Sequence, residues 1–212
     1  MSNPLAASYD PHVEAILWSN NVIGERLFLP PCIFLIYIGE SRHPAVPRLI
    51  IISGGQSGVD RAALDEAISH GIPVSGWCPL GGWAEDLPNP PGVLSSYPLL
   101  RETPLADPAQ RTEWNVRDSD ACLILVDAGG TEASRGTALA ELLAARYGKP
   151  LLVIDPGEHN AVAKTRAWLM TLLASHGDAS PLRLAIGGPR ESEAKGIYSN
   201  SRLFLGEVLG SA

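Results

Sequence analysis

The sequence has few cysteines, few histidines and no excess of positive charge. Its three cysteines, Cys32, Cys78 and Cys122, are odd in number and far apart, which argues against a disulfide framework and a structural zinc site. Its five histidines are scattered, so we expect no metal held by the protein's own side chains. Acidic residues number 23 against 16 basic ones, for a net charge of −7. A nucleic-acid duplex is therefore not the expected partner, because its phosphates need a basic surface.

The sequence also lacks a segment suited to crossing a membrane. The apolar stretch at residues 27–38 contains Pro30 and Pro31 and is too short to span a bilayer. No basic segment precedes it, as one would in a signal peptide. We therefore expect no signal peptide, no membrane contact and a cytoplasmic protein, and the cysteine usage is typical of a reducing compartment.

From Arg48 onwards the sequence alternates short apolar runs with helical patterns. This alternation predicts an α/β fold, in which a parallel sheet carries helices on both faces of a single domain. The irregular stretch between residues 78 and 108 is long enough to indicate a lid or a binding loop. The candidate strands are residues 49–53, 72–77, 121–126, 149–155 and 181–187, and the candidate helices are residues 57–70, 108–117, 131–147, 161–175 and 197–209.

Residues 1–47 do not share this alternation. Residues 12–18 have the pattern of a short helix, and residues 32–38 have that of a strand. Pro44 and Pro47 then mark a linker, because proline disfavours regular structure. We therefore predict an N-terminal extension over residues 1–47 and a ligand-binding domain over residues 48–212.

The stretch at residues 50–61 organises the rest of the domain. An apolar strand breaks on Gly54 and Gly55 and enters a helix after Gly58. Free N–H groups and the positive end of the dipole make such a helix start an anion site. The alternative is that the glycines only permit a tight turn. Likewise Asp60, beside Arg61 in the first helical turn, either caps the helix or contacts the hydroxyls or amines of a ligand.

This turn does not fit two well-known nucleotide fingerprints. It lacks the Lys-Ser or Lys-Thr that completes a P-loop. The next strand ends in Ser75-Gly76-Trp77-Cys78, without the carboxylate that binds a ribose hydroxyl in dinucleotide sites. We therefore do not expect NAD as a cofactor.

Two further glycine turns follow strands. One runs from Gly129 to Gly136-Thr137, and the other at residues 187–192 carries Arg190. The carboxyl ends of parallel strands lie at one edge of a sheet, where α/β proteins bind ligands. We therefore predict a shared pocket for a phosphorylated small molecule.

Two polar segments supply candidates for the rest of that pocket. In the segment 77–86, tryptophans could stack a flat ring and Glu85 and Asp86 could accept hydrogen bonds from it, although core packing of the tryptophans is an equal alternative. Cys78 there is either a ligand or nucleophile, or a small buried hydrophobic residue. In the segment 110–120, Arg111, Asn115 and Asp118 share one helix face, which either lines the pocket or forms ion pairs in solvent.

Taken together, these strings resemble the molybdenum-carrier family of the SLOG superfamily. That superfamily includes the cytokinin-activating "lonely guy" enzymes, lysine-decarboxylase-like proteins and the DNA-processing protein A. The resemblance covers residues 48–209 and implies a Rossmann-like fold that binds a nucleotide or a pterin phosphate. It also implies the molybdenum cofactor as a ligand, with the metal bound by the pterin. The matching strings are residues 53–65, 76–79, 84–86, 110–120, 136–137 and 188–192.

One departure bears on catalysis. The cytokinin-activating enzymes carry Pro-Gly-Gly-x-Gly-Thr followed closely by a catalytic glutamate. Residues 127–137 of this chain lack that proline, and Glu141 is displaced to four residues after Thr137. We therefore expect a binding or carrier protein. The alternative is an N-glycosidic hydrolase of nucleoside monophosphates, in which an arginine holds the phosphate and the candidate catalytic residue Glu141 or Asp118 stabilises the oxocarbenium-like state. A third hypothesis is a regulatory module that binds another protein.

The predicted site draws on all these segments, and a homo-oligomer is compatible with the sequence. The predicted ligand-binding residues are Gly54, Gly55, Gln56, Ser57, Gly58, Asp60, Arg61, Trp77, Cys78, Glu85, Asp86, Arg111, Asn115, Gly136, Thr137 and Arg190.

Overall fold

The computed structural model describes residues 48–210. The extension predicted for residues 1–47, with its helix at 12–18 and its strand at 32–38, lies outside the described residues. The strands are β1 (Leu49–Ile52), β2 (Val74–Ser75), β3 (Trp77–Cys78), β4 (Arg101–Glu102), β5 (Ala121–Leu125), β6 (Leu151–Ile154) and β7 (Leu182–Gly187). The helices are α1 (Val59–Ser69), α2 (Pro108–Arg117), α3 (Arg135–Arg146), α4 (Ala161–His176) and α5 (Ile197–Leu209).

Five strands form one fully parallel sheet in the order β2-β1-β7-β5-β6. Strand β7 lies at its centre, where Leu184 pairs with Ile51 on one side and with Ala121 on the other. The central strands are near-continuous apolar runs, as expected for a sheet that is buried on both faces. Strands β3 and β4 form a second, two-stranded parallel sheet.

Helices cover both faces of the large sheet, which confirms the predicted Rossmann-like α/β fold. On one face, α1, α4 and α5 pack through residues such as Ala63, Leu169 and Phe204. On the other face, α2 and α3 pack through Val116 and Leu143. No helix within residues 48–210 is long and apolar enough to cross a membrane.

The second strand is shorter than predicted because the chain turns at Gly76. That residue has φ of 145°, and a Cβ on it would lie 2.1 Å from the carbonyl oxygen of Ser53. The chain therefore leaves the main sheet after β2 and pairs with β4 instead.

The long stretch between β3 and α2 is packed against the domain. Its Ala84, Val93, Tyr97 and Leu100 are buried with Leu64 of α1 in a separate apolar cluster. Burial of these side chains fixes the path of the chain past the carboxyl ends of β1 and β2.

Candidate functional site

A crevice opens at the carboxyl ends of β5 and β7. These strands are neighbours, but α3 follows β5 on one face of the sheet and α5 follows β7 on the other. Open α/β sheets bind ligands at such a switch point, since the chain diverges there to opposite faces. The crevice has a volume of about 520 Å³. It is lined by residues at the start of α2, at the start of α3 and after β7, together with Asp60. These residues are Asp60, Asp107, Pro108, Ala109, Arg111, Thr112, Ser134, Arg135, Gly136, Thr137, Leu139, Ala140, Gly187, Gly188 and Arg190.

The start of α3 supplies donors to the crevice. Ser134 caps the helix, because its Oγ accepts a hydrogen bond from the Thr137 N–H at 3.3 Å. The hydroxyl of Thr137 is buried and has no hydrogen-bond partner among residues 48–210. A buried hydroxyl without a partner is costly unless another group bonds to it. Together with the dipole of a twelve-residue helix, it favours an acceptor-rich anion in the crevice.

Three arginines against two carboxylates give the crevice an excess of positive charge. Arg111, Arg135 and Arg190 line it together with Asp60 and Asp107. Within residues 48–210 neither Arg135 nor Arg190 forms a salt bridge. The guanidinium of Arg190 instead lies over the ring of Trp83, 5.7 Å from its centroid.

Asp60 joins three elements at the floor of the crevice. Its carboxylate accepts a hydrogen bond from Arg111 Nη1 at 2.8 Å, and it lies near the backbone N–H groups of Gln56 and Gly188. Burial raises the pKa of the Asp60 carboxyl, although the positive charge of Arg111 opposes this shift. A Cβ on Gly54 would lie 2.5 Å from Arg111 Nη1, so the glycine makes room for the guanidinium.

A second pocket of about 690 Å³, here called the lateral pocket, lies between the starts of α1 and α5. Arg61 binds Asp86 through both terminal nitrogens at 3.0 and 3.1 Å. Tyr97 and Tyr198 both donate to Asp65, at 2.6 and 2.8 Å. The pocket is lined by Ser57, Gly58, Arg61, Asp65, Glu85, Asp86, Tyr97, Glu191, Ser192, Lys195, Tyr198 and Ser199.

Glu85 connects the first and third glycine turns beside the lateral pocket. Its carboxylate accepts hydrogen bonds from the hydroxyls of Ser57 and Ser192. Partial burial alone raises the pKa of the Glu85 carboxyl, but the bonds from Ser192 and Ser57 outweigh it, so the pKa lies below its usual value. Most of the carboxylates and hydroxyls of this pocket thus bind other groups of the protein.

The structure distributes the predicted ligand-binding residues between the two pockets. Of these residues, Asp60, Arg111, Gly136, Thr137 and Arg190 line the crevice. Ser57, Gly58, Arg61, Glu85 and Asp86 line the lateral pocket.

Gly54, Gly55 and Gln56 line neither pocket and have local roles. Gly54 lies beneath Arg111. The carbonyl of Gly55 accepts from Arg61. Gln56 Oε1 accepts from the backbone N–H groups of Ser57 and Glu85.

Trp77, Cys78 and Asn115 fasten β3 to its neighbours. The Asn115 amide bonds both to the Trp77 N–H at 2.7 Å and to the Trp77 carbonyl at 3.0 Å. The Trp77 ring packs edge-on against Trp114, with centroids 4.6 Å apart. Burial raises the pKa of the Cys78 thiol to about 11. None of the three lines the crevice or the lateral pocket.

The two candidate catalytic acids also lie away from both pockets. Asp118 follows α2 and precedes β5, at the amino edge of the sheet, and it binds Arg117 and the indole N–H of Trp77. The hydrogen bond from Arg117 is the main influence that lowers the Asp118 pKa. Glu141 lies within α3, one turn beyond Thr137, and lines neither pocket.

The crevice contains residues that the sequence did not single out. Arg135 stands next to the predicted Gly136, and Ser134 caps the same helix. The sequence predicts a helix at residues 108–117, but nothing local indicates that its start, with Asp107 and Pro108, faces α3. Their placement depends on the packing of α2 beside α3.

Comparisons with known proteins agree with this architecture. The model of the circularly permuted YpsA SLOG family matches residues 51–209. A crystal structure of the "Putative molybdenum carrier protein" from Syntrophus aciditrophicus SB is similar, with 39% sequence identity and a TM-score of 0.64. The match covers 78% of this chain and 96% of that one. No curated protein matches.

The permutation is visible in the sheet. If strands of the main sheet are counted from β7, its order becomes 3-2-1-4-5, which is the order of a Rossmann fold. The resemblance to molybdenum carriers and the Rossmann-like fold predicted from the sequence are therefore both confirmed.

Proposed function

The chain belongs to the circularly permuted YpsA SLOG family, and we propose that it binds a phosphorylated nucleotide or pterin in the crevice. In this proposal it acts as a carrier, and the molybdenum cofactor is its cargo. The similar protein from Syntrophus aciditrophicus SB is named a "Putative molybdenum carrier protein". The pterin would hold the metal, and this chain would bind the phosphate of the cofactor.

The unpartnered hydroxyl of Thr137 at the start of α3 is the observation that carries the proposal. A phosphate placed there would accept from this hydroxyl and from the free N–H groups of the first helical turn. Arg190 and Arg135 line the same crevice without salt-bridge partners within residues 48–210, and Arg111 is held in place by Asp60. Bidentate arginine contacts suit a phosphate in both charge and geometry.

The positions of the acids favour binding over hydrolysis. The hydrolase alternative needs a carboxyl beside the glycosidic bond. Glu141 and Asp118 do not line the crevice. The two carboxylates that do line it are engaged, since Asp60 pairs with Arg111 and Asp107 caps α2.

Calorimetric titration with GMP and with neopterin phosphate tests the proposal. We expect binding of at least one of them, and no comparable binding of the matching phosphate-free guanosine or neopterin. Thr137→Val removes the hydroxyl at constant shape, and Arg190→Gln removes a charge; each should weaken binding about tenfold, as for the loss of a charge-assisted hydrogen bond.

Arg146→Gln is the matched control for the charge change. Arg146 lies in the last turn of α3, at the opposite end of the helix from the crevice. Affinities equal to wild type in Thr137→Val and Arg190→Gln would contradict the proposed site. Absence of binding by every phosphorylated probe, including the isolated molybdenum cofactor, would contradict the function.

A further inference from the structure

An apolar groove of about 350 Å³ adjoins the crevice. We call it the Trp83 groove; its side chains are Leu80, Trp83, Pro88, Pro90, Ala106 and Pro108. Pro108 lines both the groove and the crevice, so the two cavities meet at the start of α2. A charged crevice beside an apolar groove suits a ligand with an anionic end and a flat apolar end.

Arg190 also links the two cavities. Its side chain lines the crevice, and its guanidinium lies 5.7 Å from the centroid of the Trp83 ring. A ligand phosphate held by Arg190 would therefore have the Trp83 ring within reach of its other end. An arginine over an indole also keeps that ring in a fixed orientation.

The backbone on both sides of Trp83 is held by contacts with other parts of the chain. The next residue, Ala84, exchanges backbone hydrogen bonds with Leu87 at 3.3 and 3.0 Å. On the other side, a Cβ on Gly82 would lie 2.1 Å from the carbonyl oxygen of Pro91, so the chain is in close contact there. The indole is thus presented on a fixed turn, while Trp77 is held by Asp118 and Trp114 away from both pockets.

We propose that the Trp83 groove binds the flat heterocyclic ring of the ligand whose phosphate lies in the crevice. The inference rests on the proposed function and narrows the class of ligand that the protein binds. The ligand class is a purine or pterin phosphate, and a sugar phosphate alone would leave the groove unused. Stacking on an aromatic side chain strengthens binding of a base by about tenfold or more.

The test compares a ring-bearing with a ring-free probe. Wild type, Trp83→Leu and Trp83→Phe are titrated by calorimetry with GMP, neopterin phosphate and ribose 5-phosphate. We expect Trp83→Leu to weaken binding of the ring-bearing probes about tenfold and to leave ribose 5-phosphate unchanged. Trp83→Phe keeps an aromatic face and should restore most of the lost affinity.

Two results would overturn the ring assignment while leaving the crevice proposal intact. One is unchanged affinity of Trp83→Leu for the ring-bearing probes. The other is an equal loss for all three probes, which would mean that Trp83 acts only by holding Arg190. If wild type binds neither these probes nor the molybdenum cofactor, both the proposed function and this inference are wrong.

Discussion

At the scale of single residues, the crevice depends on a buried ion pair. Asp60 and Arg111 have side chains that are only 4% and 14% exposed, so neither charge is well solvated without the other. Their pairing places a guanidinium at the floor of the crevice that we propose binds a phosphate. Removing either partner leaves the other charge buried and uncompensated.

Asp60→Asn should therefore destabilise the fold strongly. We expect the free energy of unfolding to fall by about 3 kcal/mol, because Arg111 loses its counter-charge in a buried setting. Asp86→Asn is the control, since it breaks the pair with Arg61 in which Asp86 is 46% exposed. Asp86→Asn should lower the free energy of unfolding by less than about 1 kcal/mol. Urea unfolding of both variants measures the difference, and equal losses would contradict the argument.

Glu85 makes a pH-dependent contribution that Glu85→Gln should remove. Its pKa is lowered in the folded protein, so its stabilising effect is present above the unfolded pKa and is lost as pH falls through the folded pKa. At pH 7 we expect Glu85→Gln to lower the free energy of unfolding by about 1 kcal/mol, because the hydrogen bonds from Ser57 and Ser192 become weaker. Well below the folded pKa of Glu85 the two proteins should converge, since both side chains are then neutral. A pH-independent difference in urea unfolding would exclude this linkage.

At the scale of elements, capping residues made some boundaries predictable. Helix α2 begins and ends where the sequence predicted, because Asp107 accepts from the Ala109 N–H and Pro108 takes the first position. The helix predicted from residue 131 instead begins at Arg135, after a short 3₁₀ turn, since Ser134 is its cap. The sequence pattern could not distinguish the 3₁₀ turn from the helix that follows it, because both segments are compatible with helical spacing.

Gly136, in the first turn of α3, has no structural requirement for glycine. Its φ is not positive, and a Cβ there would meet only Ser134 Oγ at 3.9 Å. Glycine in a helix costs about 0.5–1 kcal/mol relative to alanine. Gly136 lines the crevice, and the lack of a Cβ there would let the proposed phosphate approach the helix start closely.

Gly136→Ala should therefore stabilise the protein while weakening ligand binding. We expect the free energy of unfolding to rise by about 0.5 kcal/mol and the affinity for GMP or neopterin phosphate to fall. The comparison variant is Gly188→Ala, whose Cβ would lie 2.3 Å from the Leu125 carbonyl oxygen and should destabilise the fold. If Gly136→Ala binds the ligand as tightly as wild type, the phosphate does not lie against this turn.

At the scale of the whole molecule, alternation of strands and helices predicted the fold class but not the strand order. Continuous apolar strands between helical segments indicate a parallel sheet. The placement of β7 between β1 and β5 depends on long-range pairing, which no local pattern encodes. Nor could the sequence predict which site residues line the crevice and which line the lateral pocket. That division depends on side-chain pairs distant in the chain, such as Glu85 and Ser192.

The permuted order leads to a prediction about connectivity. Helix α5 runs from the carboxyl edge of the sheet back to the amino edge, where β1 begins. A Cβ on Gly210, just beyond α5, would lie 3.0 Å from His70 at the end of α1, which places both helix ends at that edge. Arg48 lies at the same edge, where its carbonyl accepts from the Leu182 N–H at 2.9 Å. A linker of about eight residues, which spans up to about 27 Å, should therefore join Gly210 to Arg48.

A variant that begins at Asp178, passes through this linker and ends at His176 should fold to the same sheet. The new ends fall in the exposed loop before β7, and breaks in such loops are well tolerated. The control is residues 48–212 in the native order. We expect matching far-UV circular dichroism and affinities for GMP and neopterin phosphate within about threefold, because every crevice residue keeps its neighbours in space. An unfolded permutant beside a folded control would show that the native connection between β6 and β7 is required for the crevice to form.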